Sequence, residues 1–272
     1  MAEDIDGPLI IVRGENVEID GVRRHTLSKR SGDGPVILVE AGDVDIHDIE
    51  VLGYREAIRF DRADGGRLQN TLLDAEVDVR LMESHRVNFR YVEFGGDRTN
   101  IWMTDSDYGE IEGCTFGFDK GIFGDSCHRN VIRGCYFDAL HEPILLVDSN
   151  ENVIQGNIFE QSGAAGIHLT RCYATTVDTC GVRDGEGSDG LYAVDSRRTV
   201  VTNSRFERNY RSGVRLTRCD DSVVTGNRFE ENRRSHIAVS RSDDVTVTAN
   251  LLGSGRNFEF SGTDDMVSVG NR

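Results

Sequence analysis

Three aspartates recur at a constant distance from large apolar residues, and their carboxyl groups could take part in acid–base chemistry. They follow at an offset of three, as Asp105 after Trp102, Asp148 after Leu145 and Asp195 after Tyr192. His168 lies between the last two aspartates in the sequence. Carboxyl groups about 6.5 to 9.5 Å apart suit the hydrolysis of glycosidic bonds with inversion. Because any acidic column in a repetitive chain produces such pairs, we predict no catalytic residue and keep these four as the alternative.

Acidic residues also occur as neighbouring pairs in the last third of the sequence. The pairs are Asp220 with Asp221, Asp243 with Asp244, and Asp264 with Asp265. Carboxylates repeated in this way should attract cations. Diffuse counterions are favoured over a calcium ladder, because the glycine-rich spacing of calcium-binding coils is absent. No CxxC pair occurs and the histidines are scattered, so we predict no metal site and no cofactor.

The pattern behind these spacings is a repeat of about 23 residues. Residues 200–222 and 223–245 align without a gap. Several apolar residues of the first copy recur in the second, including Val201 as Val224, Phe206 as Phe229 and Val214 as Ile237. A period of this size indicates a solenoid, in which each repeat packs only on its neighbours.

Two series of short apolar strands extend this period through most of the chain. In one series two apolar residues flank a variable residue, as in Ile144 and Leu146. In the other they lie five apart, as in Ile154 and Phe159. β-Branched residues are frequent and helical periodicity is absent. Each strand would pair in parallel with its counterpart in the next turn, so the sequence predicts an all-β coil of about ten or eleven rungs.

The repeats carry short motifs, namely GNIF at 156–159, GIHL at 166–169, GVRL at 213–216 and GNRF at 226–229. Through these motifs the chain resembles the right-handed parallel β-helix family, which includes pectate lyases, many phage tailspikes and periplasmic copper-binding repeat proteins. The resemblance covers residues 16–272 and implies a right-handed single-stranded parallel β-helix. Enzymes, adhesins and structural proteins share this fold, so the resemblance implies no single function.

The sequence predicts one domain with a short leading segment. Residues 1–15 form the lead segment and residues 16–272 form the β-helix. A basic loop is inserted at 23–33, where RRHTLSKR interrupts the period. We expect this loop to be solvated, with contact to an acidic neighbour as the alternative.

Alignment of the rungs places small polar residues and cysteines in two internal columns. One column contains Cys114, Cys135, Asn157, Cys180, Ser204, Asn227, Asn250 and Asn271. The other contains Ser106, Ser149, Cys172, Ser196, Cys219 and Ser242. Such side chains can bond backbone groups of neighbouring rungs that would otherwise be buried unpaired. We predict reduced, packed cysteines, with a disulfide between Cys114 and Cys135 as the less favoured alternative.

A third column should lie on the outside of the first strand series. Its residues are Arg59, Trp102, Phe123, Leu145, His168, Tyr192, Arg215, Ala238 and Glu259. The five from Trp102 to Tyr192, here called the central stripe, are large and mostly apolar. Exposed stripes of this kind typically contact a partner or ligand. Three interpretations remain open: the seam of a homotrimer, as in viral spikes that resemble this fold, a platform for sugar rings, or a surface covered by a loop of the same chain.

The composition is strongly acidic. The formal net charge is −16, and of the 31 basic residues only Lys29 and Lys120 are lysine. This balance is typical of salt-loving proteins and disfavours nucleic acid as a partner. Because the chain has no basic, apolar leader and no long apolar segment, we expect neither a signal peptide nor membrane insertion. The expected location is a virion or extracellular surface reached without a cleaved signal, or otherwise the cytoplasm.

These observations predict a non-catalytic structural or attachment protein, such as a spike, fibre or turret of a haloarchaeal virus. We expect a homotrimer that contacts other virion proteins and binds a cell-surface glycan. The sequence stops in mid-rung at MVSVGNR without a capping helix, which favours assembly. The alternative is a polysaccharide-active lyase, hydrolase or epimerase. The hydrolase motifs of the resembling family, Asn-Thr-Asp, Asp-Asp beside Gly-His-Gly, and Arg-Ile-Lys, are absent, which disfavours hydrolysis.

Overall fold

Three short strands and the turns between them form each coil of the chain. The computed structural model describes residues 8–28 and 34–272, which contain strands and turns and no helix. Strands of successive coils pair in parallel, so that three stacked sheets enclose one core over about 11 turns. The predicted parallel solenoid is confirmed. Within these two ranges no helix could cross a membrane.

The three sheets are built from short strands that recur in the same order. The first sheet contains Ile10–Val12, Ile37–Val39, Thr99–Thr104, Lys120–Asp125, Glu142–Val147, Ile167–Thr170, Leu191–Val194, Ser212–Thr217, Ser235–Ser240 and Phe258–Ser261. The second contains Arg67–Gln69, Asn88–Arg90, Glu110–Glu112, Val131–Arg133, Val153–Gln155, Thr176–Asp178, Val200–Thr202, Val223–Thr225, Thr246–Thr248 and Val267–Val269. The third contains Glu93–Phe94, Thr115–Gly117, Tyr136–Asp138, Ile158–Glu160, Gly181–Arg183, Arg205–Glu207, Arg228–Glu230 and Leu251–Leu252. Three longer strands pass from one sheet to the next: Glu18–Ser28, Asp45–Asp61 and Leu72–Met82.

In the second strand series, the apolar residues five positions apart were expected to end a single strand. Most such segments form two strands instead. Val153–Gln155 and Ile158–Glu160 are separated by a turn at Gly156 and Asn157. Gly156 has a left-handed φ of 63°, which a residue without Cβ adopts at no steric cost. The turn lets the apolar residues on both sides of it face the core, although their spacing does not fit one alternating strand.

The basic segment predicted as a loop at 23–33 begins as an irregular strand. Glu18–Ser28 pairs with Asp45–Asp61, and the register shifts between Asp20 and His25. The extra residues of the segment are therefore absorbed as a bulge as far as Ser28, and residues 29–33 lie outside the described residues. In the predicted lead segment, Ile10–Val12 already pairs with Ile37–Val39, and residues 1–7 lie outside the described residues.

The core is dominated by phenylalanine rings that stack from rung to rung on the third sheet. Phe94, Phe116, Phe137 and Phe159 are buried, with centroid separations of 4.8, 4.5 and 4.7 Å between successive rings. Because the rungs of a parallel sheet are about 4.8 Å apart, identical rings in one column meet face to face. Val182 takes the next position in this column and ends the run.

The two predicted internal columns are confirmed by their hydrogen bonds. Asn157 Oδ1 accepts the backbone N–H of Cys135 at 2.9 Å, and its Nδ2 donates to the carbonyl of Ile132 at 2.8 Å. Ser149 Oγ accepts the N–H of Cys127 at 3.0 Å in the same way. Each side chain thus satisfies backbone groups of the preceding rung. All six cysteines are buried and unpaired, so the alternative disulfide is not formed.

Candidate functional site

The outward column of the first sheet lies in rung-to-rung register. Trp102 pairs with Phe123, Phe123 with Leu145, Leu145 with His168, and His168 with Tyr192. Each of the five side chains is half-buried between its neighbours along the rod. The central stripe is therefore one continuous surface, while its role as a binding face stays a prediction. Farther along the column Ala238 is buried, contrary to the expectation that it faces solvent.

Two arginines extend the central stripe on its N-terminal side. Arg80, which the predicted column lacked, pairs in register with Arg59 and with Trp102. Arg59 Nε donates to Glu56 Oε1 at 2.8 Å, and Arg80 Nε lies 3.3 Å from the same oxygen. The Arg80 guanidinium also lies over the Trp102 ring, 4.8 Å from its centroid. Because two cations share one carboxylate, this end of the column has a net positive charge.

The rings of the central stripe pack against one another along the rod. Trp102 and Phe123 meet edge to face, with centroids 5.2 Å apart and planes at 74°. His168 and Tyr192 stack with centroids 5.2 Å apart and planes at 27°. The stacked pair therefore covers one face of each of its two rings, whereas Trp102 and Phe123 do not lie face to face. No hydrogen bond of the Tyr192 hydroxyl occurs in the described part of the chain.

A histidine and a glutamate form a polar pair in the middle of the stripe. His168 Nδ1 lies 3.2 Å from Glu142 Oε1, and its Nε2 lies 3.3 Å from Thr170 Oγ1. The hydrogen bond with His168 is the main cause that lowers the pKa of Glu142, against partial burial, which raises it. Lys120 Nζ lies 3.8 Å from the other carboxylate oxygen. An ionised carboxylate that orients an imidazole is an arrangement capable of general acid–base catalysis.

The acids that border the column come before its residues in the chain, whereas the sequence pattern predicted acids after them. Glu56, Glu142 and Asp189 each come three residues before a member of the column: Arg59, Leu145 and Tyr192, respectively. Asp189 is buried and accepts from Arg215 Nε at 3.0 Å.

Side chains do not alternate strictly between the inner and outer faces at this edge of the first sheet. For this reason an acid three residues before a column residue can lie on the same outer face. Lys120 pairs with Glu142 and Ile122 with Ile144, but Gly121 and its counterpart interrupt the ladder. A Cβ at Gly121 would lie 2.3 Å from the backbone oxygen of Pro143, so this close approach requires glycine.

The predicted catalytic alternatives occupy the corner after the first sheet. Asp105, Asp148 and Asp195 have left-handed φ angles of 47°, 49° and 53°. Arg171 binds Asp148 through two hydrogen bonds of 2.7 Å, and Arg218 binds Asp195 in the same bidentate way. Among the described residues none of the three aspartates bonds to His168. Of the four proposed residues, only the histidine therefore belongs to the polar pair.

The acidic pairs at the other turns have a structural role in addition to their charge. Asp220 Oδ1 accepts the N–H of Asp243, and Asp243 Oδ1 accepts the N–H of Asp264, each at 3.1 Å. The second members of the pairs, Asp221, Asp244 and Asp265, have left-handed φ angles of 55°, 55° and 48°. Aspartate is suited to both positions, because it caps backbone donors and tolerates this conformation. Cation binding by these residues stays a proposal.

A separate cluster on the second sheet joins the first two rungs. His47 Nδ1 lies 2.9 Å from Asp48 Oδ2 and 3.6 Å from Asp20 Oδ1, and its Nε2 lies 3.0 Å from Glu18 Oε1. These residue types could hold a divalent ion, although no sequence motif indicates a metal site here. Hydrogen bonds with Asp48 and Glu18 raise the pKa of His47 to about 9, so a protonated imidazole satisfies the same carboxylates at neutral pH.

Replacing His47 by glutamine should remove stability in a pH-dependent manner. Because the pKa is raised on folding from the usual value of about 6.5, the stabilisation is fully present below that pH and is lost as the pH rises through about 9. Urea denaturation from pH 6 to 10 should show a difference between parent and His47→Gln that disappears at the alkaline end. His128→Gln, which changes a ring that accepts a backbone N–H from Asn150, should not show this loss. A difference that stays constant from pH 6 to 10 would exclude the charged interaction.

Fold and site together define a solenoid of parallel strands with aromatic and charged side chains in register along one sheet. The family model described as right handed beta helix region matches residues 35–184 and 121–269, so the chain belongs to this family. No curated protein sequence matches the chain.

Solved structures with the same fold include both enzymes and a viral tailspike. A mutant of the periplasmic alginate epimerase AlgG aligns with a TM-score of 0.80 and 12% identity over 97% of this chain and 77% of its own. A tailspike protein mutant of E. coli bacteriophage HK620, in complex with a hexasaccharide, aligns with a TM-score of 0.66 and 11% identity. The alignment covers 92% of this chain and 57% of the tailspike chain. The catalytic domain of a GH87 alpha-1,3-glucanase in complex with tetrasaccharides aligns with a TM-score of 0.59 and 12% identity. The alignment covers 97% of this chain and 64% of the glucanase chain. At these identities the likeness establishes the fold.

Proposed function

We propose that the protein is a non-catalytic attachment or structural component that binds a glycan along the central stripe. The observation that carries this proposal is the continuous column from Arg59 to Arg215, on a chain whose net charge is −16. It contains guanidinium groups, aromatic rings, one imidazole and the aliphatic side chain of Leu145, and no acidic side chain. Acids next to this column are engaged by cations, as Glu56 is by two arginines and Asp189 by Arg215. The column is thus a surface where an extended, hydroxyl-rich or acidic ligand meets donors and apolar area rather than repulsion.

We further propose the oligomeric state of the protein and the kind of organism or virus from which it comes. It is a spike- or fibre-type protein of a haloarchaeal virus, exposed on the virion or another extracellular surface and assembled as a homotrimer with other virion proteins. Likeness to tailspikes and the acid excess support this proposal. Nucleic acid and membrane lipid are not partners in this proposal.

Binding to a panel of neutral and acidic oligosaccharides in molar KCl tests the central claim. The double variant Trp102→Ala with Tyr192→Ala should bind at least tenfold more weakly than the parent, which corresponds to about 1.4 kcal/mol. Tyr108→Ala is the control, because Tyr108 is a more exposed ring that lies outside the stripe, at a turn beneath Arg129. Equal affinity of the double variant and the control would reject the stripe as the binding face.

The mass of the particle in the same salt tests the assembly. If Trp102→Glu dissociates a trimer, the stripe is a seam between copies. If the mass is unchanged and binding is lost, the stripe is the ligand face.

Catalysis is the second candidate function, and the Glu142–His168 pair is the observation that favours it. An imidazole positioned by a carboxylate beside an unpartnered Tyr192 hydroxyl could move protons on a bound polysaccharide, as a lyase or epimerase requires. Analysis of reaction products on the same oligosaccharide panel distinguishes catalysis from binding alone. Turnover by the parent that is lost in His168→Gln supports an enzyme, whereas a parent that binds without turnover supports attachment.

A further inference from the structure

A cationic groove lies at the turn between the third and first sheets, beside the C-terminal end of the outward column. Two successive turns, NYRS at 209–212 and NRRS at 232–235, build it. Each turn begins with a buried asparagine: Asn232 Oδ1 accepts from Asn209 Nδ2 at 2.9 Å, and Asn232 Nδ2 donates to the carbonyl of Phe206 at 2.9 Å. The buried asparagine ladder fixes the backbone from which the side chains of the groove project.

Three arginines and one tyrosine line this groove, whose volume is about 560 Å³. Tyr210 is 50% exposed, and the Arg233 guanidinium lies over its ring, 5.2 Å from the centroid. Arg211 and Arg234 lie one rung apart, joined by a backbone hydrogen bond of 2.9 Å. The groove is shallow and open to solvent, so a ligand would contact these side chains from one side only.

The arginines on the two sides of the groove are already neutralised. Arg208 is held by two hydrogen bonds to Asp184 of 2.7 and 2.8 Å, and Arg234 by two hydrogen bonds to Glu259 of 2.8 and 2.6 Å. Arg211 and Arg233 have no carboxylate partner among the described residues. Their guanidinium groups are therefore the two in the groove that a bound anion could engage without displacing a carboxylate of the chain.

Acidic side chains define on which side an anion would lie. An adjoining cavity of about 470 Å³ shares Tyr210 and Arg233 with the groove and is also lined by Arg208 and three acids: Asp184, Glu186 and Glu231. These carboxylates disfavour an anion in that cavity, so the favoured position is in the groove, against Arg211 and Arg233, with Tyr210 as the apolar wall.

We propose that this groove binds an acidic sugar unit, its carboxylate or sulfate ester held by Arg211 and Arg233 and its ring against Tyr210. Guanidinium forks match such oxyanions with paired hydrogen bonds, and an exposed tyrosine supplies flat apolar area for a sugar ring. Arg211 directly precedes Ser212–Thr217, the strand that carries Arg215 in the outward column. The groove thus continues the stripe, and the identity of the ligand as a sugar rests on the proposed function.

Calorimetric titration in 0.5 M KCl with three oligosaccharides of equal length tests the groove: dextran sulfate, alginate and neutral dextran. Arg211→Gln with Arg233→Gln should weaken binding of both anionic probes at least tenfold and change that of neutral dextran less than twofold. The matched control is Arg241→Gln with Arg272→Gln, which removes the same charge from two arginines that also have no ion pair among the described residues. Sulfate ester and uronate sources are distinguished by which anionic probe binds more tightly.

The groove and the stripe can fail separately in this experiment. Equal affinity of the groove variant and the control for both anionic probes overturns the inference, as does a parent that binds neither. If the groove variant loses the anionic probes but Trp102→Ala with Tyr192→Ala binds all probes as the parent does, the groove stands and the stripe is rejected. The converse result keeps the stripe and removes the groove.

Discussion

Replacing Phe137 by alanine should lower the free energy of unfolding by about 3 to 5 kcal/mol. Phe137 is 0% exposed and stacks on Phe116 and Phe159, with interplanar angles of 5° and 9°. Its removal leaves a cavity between two rings. The rungs above and below cannot close that cavity, because the parallel ladders on three sheets hold them at a constant separation.

Urea denaturation in molar KCl measures this loss, and the chain offers a matched control. Phe123→Ala removes the same side chain from the outward column, where the ring is only half-buried. We expect it to cost less than half as much as Phe137→Ala, since less apolar area is lost and no internal cavity forms. Similar losses in the two variants would contradict the stacked core as the main source of stability.

The melting temperature should rise by at least about 5 °C between dilute buffer and 2 M KCl, which is roughly 2 kcal/mol for a chain of this size. The chain has a net charge of −16, and Asp221, Asp244 and Asp265 repeat on successive rungs without an ion pair among the described residues. Salt screens their repulsion, because the Debye length falls to about 3 Å at 1 M.

Single substitutions separate this repulsion from a general effect of salt. Asp244→Asn should raise the melting temperature in dilute buffer and reduce the increment produced by KCl, because it removes the middle charge of the column. Asp148→Asn is the control, since it removes a carboxylate that Arg171 already neutralises. It should give no such gain. A melting temperature that does not rise with KCl in the parent would remove the salt-loving source from the proposed function.

The register of the rod could be predicted from the sequence, because one-dimensional repetition places equivalent residues at a fixed period. Asn157 and Ser149 were assigned to internal columns on spacing alone, and their hydrogen bonds confirm it. Trp102 and Tyr192 were placed in one outward column for the same reason. Arg80 could have been found there too, since Val79 and Leu81 flank it in the same pattern.

Local backbone geometry was the part that spacing could not provide. A left-handed Gly156 divides what looked like one strand, and Gly121 breaks the alternation at the edge of the first sheet. The second irregularity brings Glu142 to His168, so the polar pair joins residues that no motif connects. The arginine that pairs with a given carboxylate is equally hard to predict from the sequence. Asp148 pairs with Arg171 and Glu56 with two arginines, and no motif distinguishes these two acids.

The side-chain oxygens of the internal columns accept backbone N–H groups of the coil before them, and this gives the rod a direction. Asn157, Ser149 and Ser204 each accept a backbone N–H of the coil that precedes them. Each coil that leaves the ribosome therefore closes the exposed polar groups of the coil already formed. Synthesis adds about 5 to 20 residues per second, so one coil of the rod is supplied every few seconds at most. Such a chain can fold from its first coil onward while it is being made, without waiting for its last.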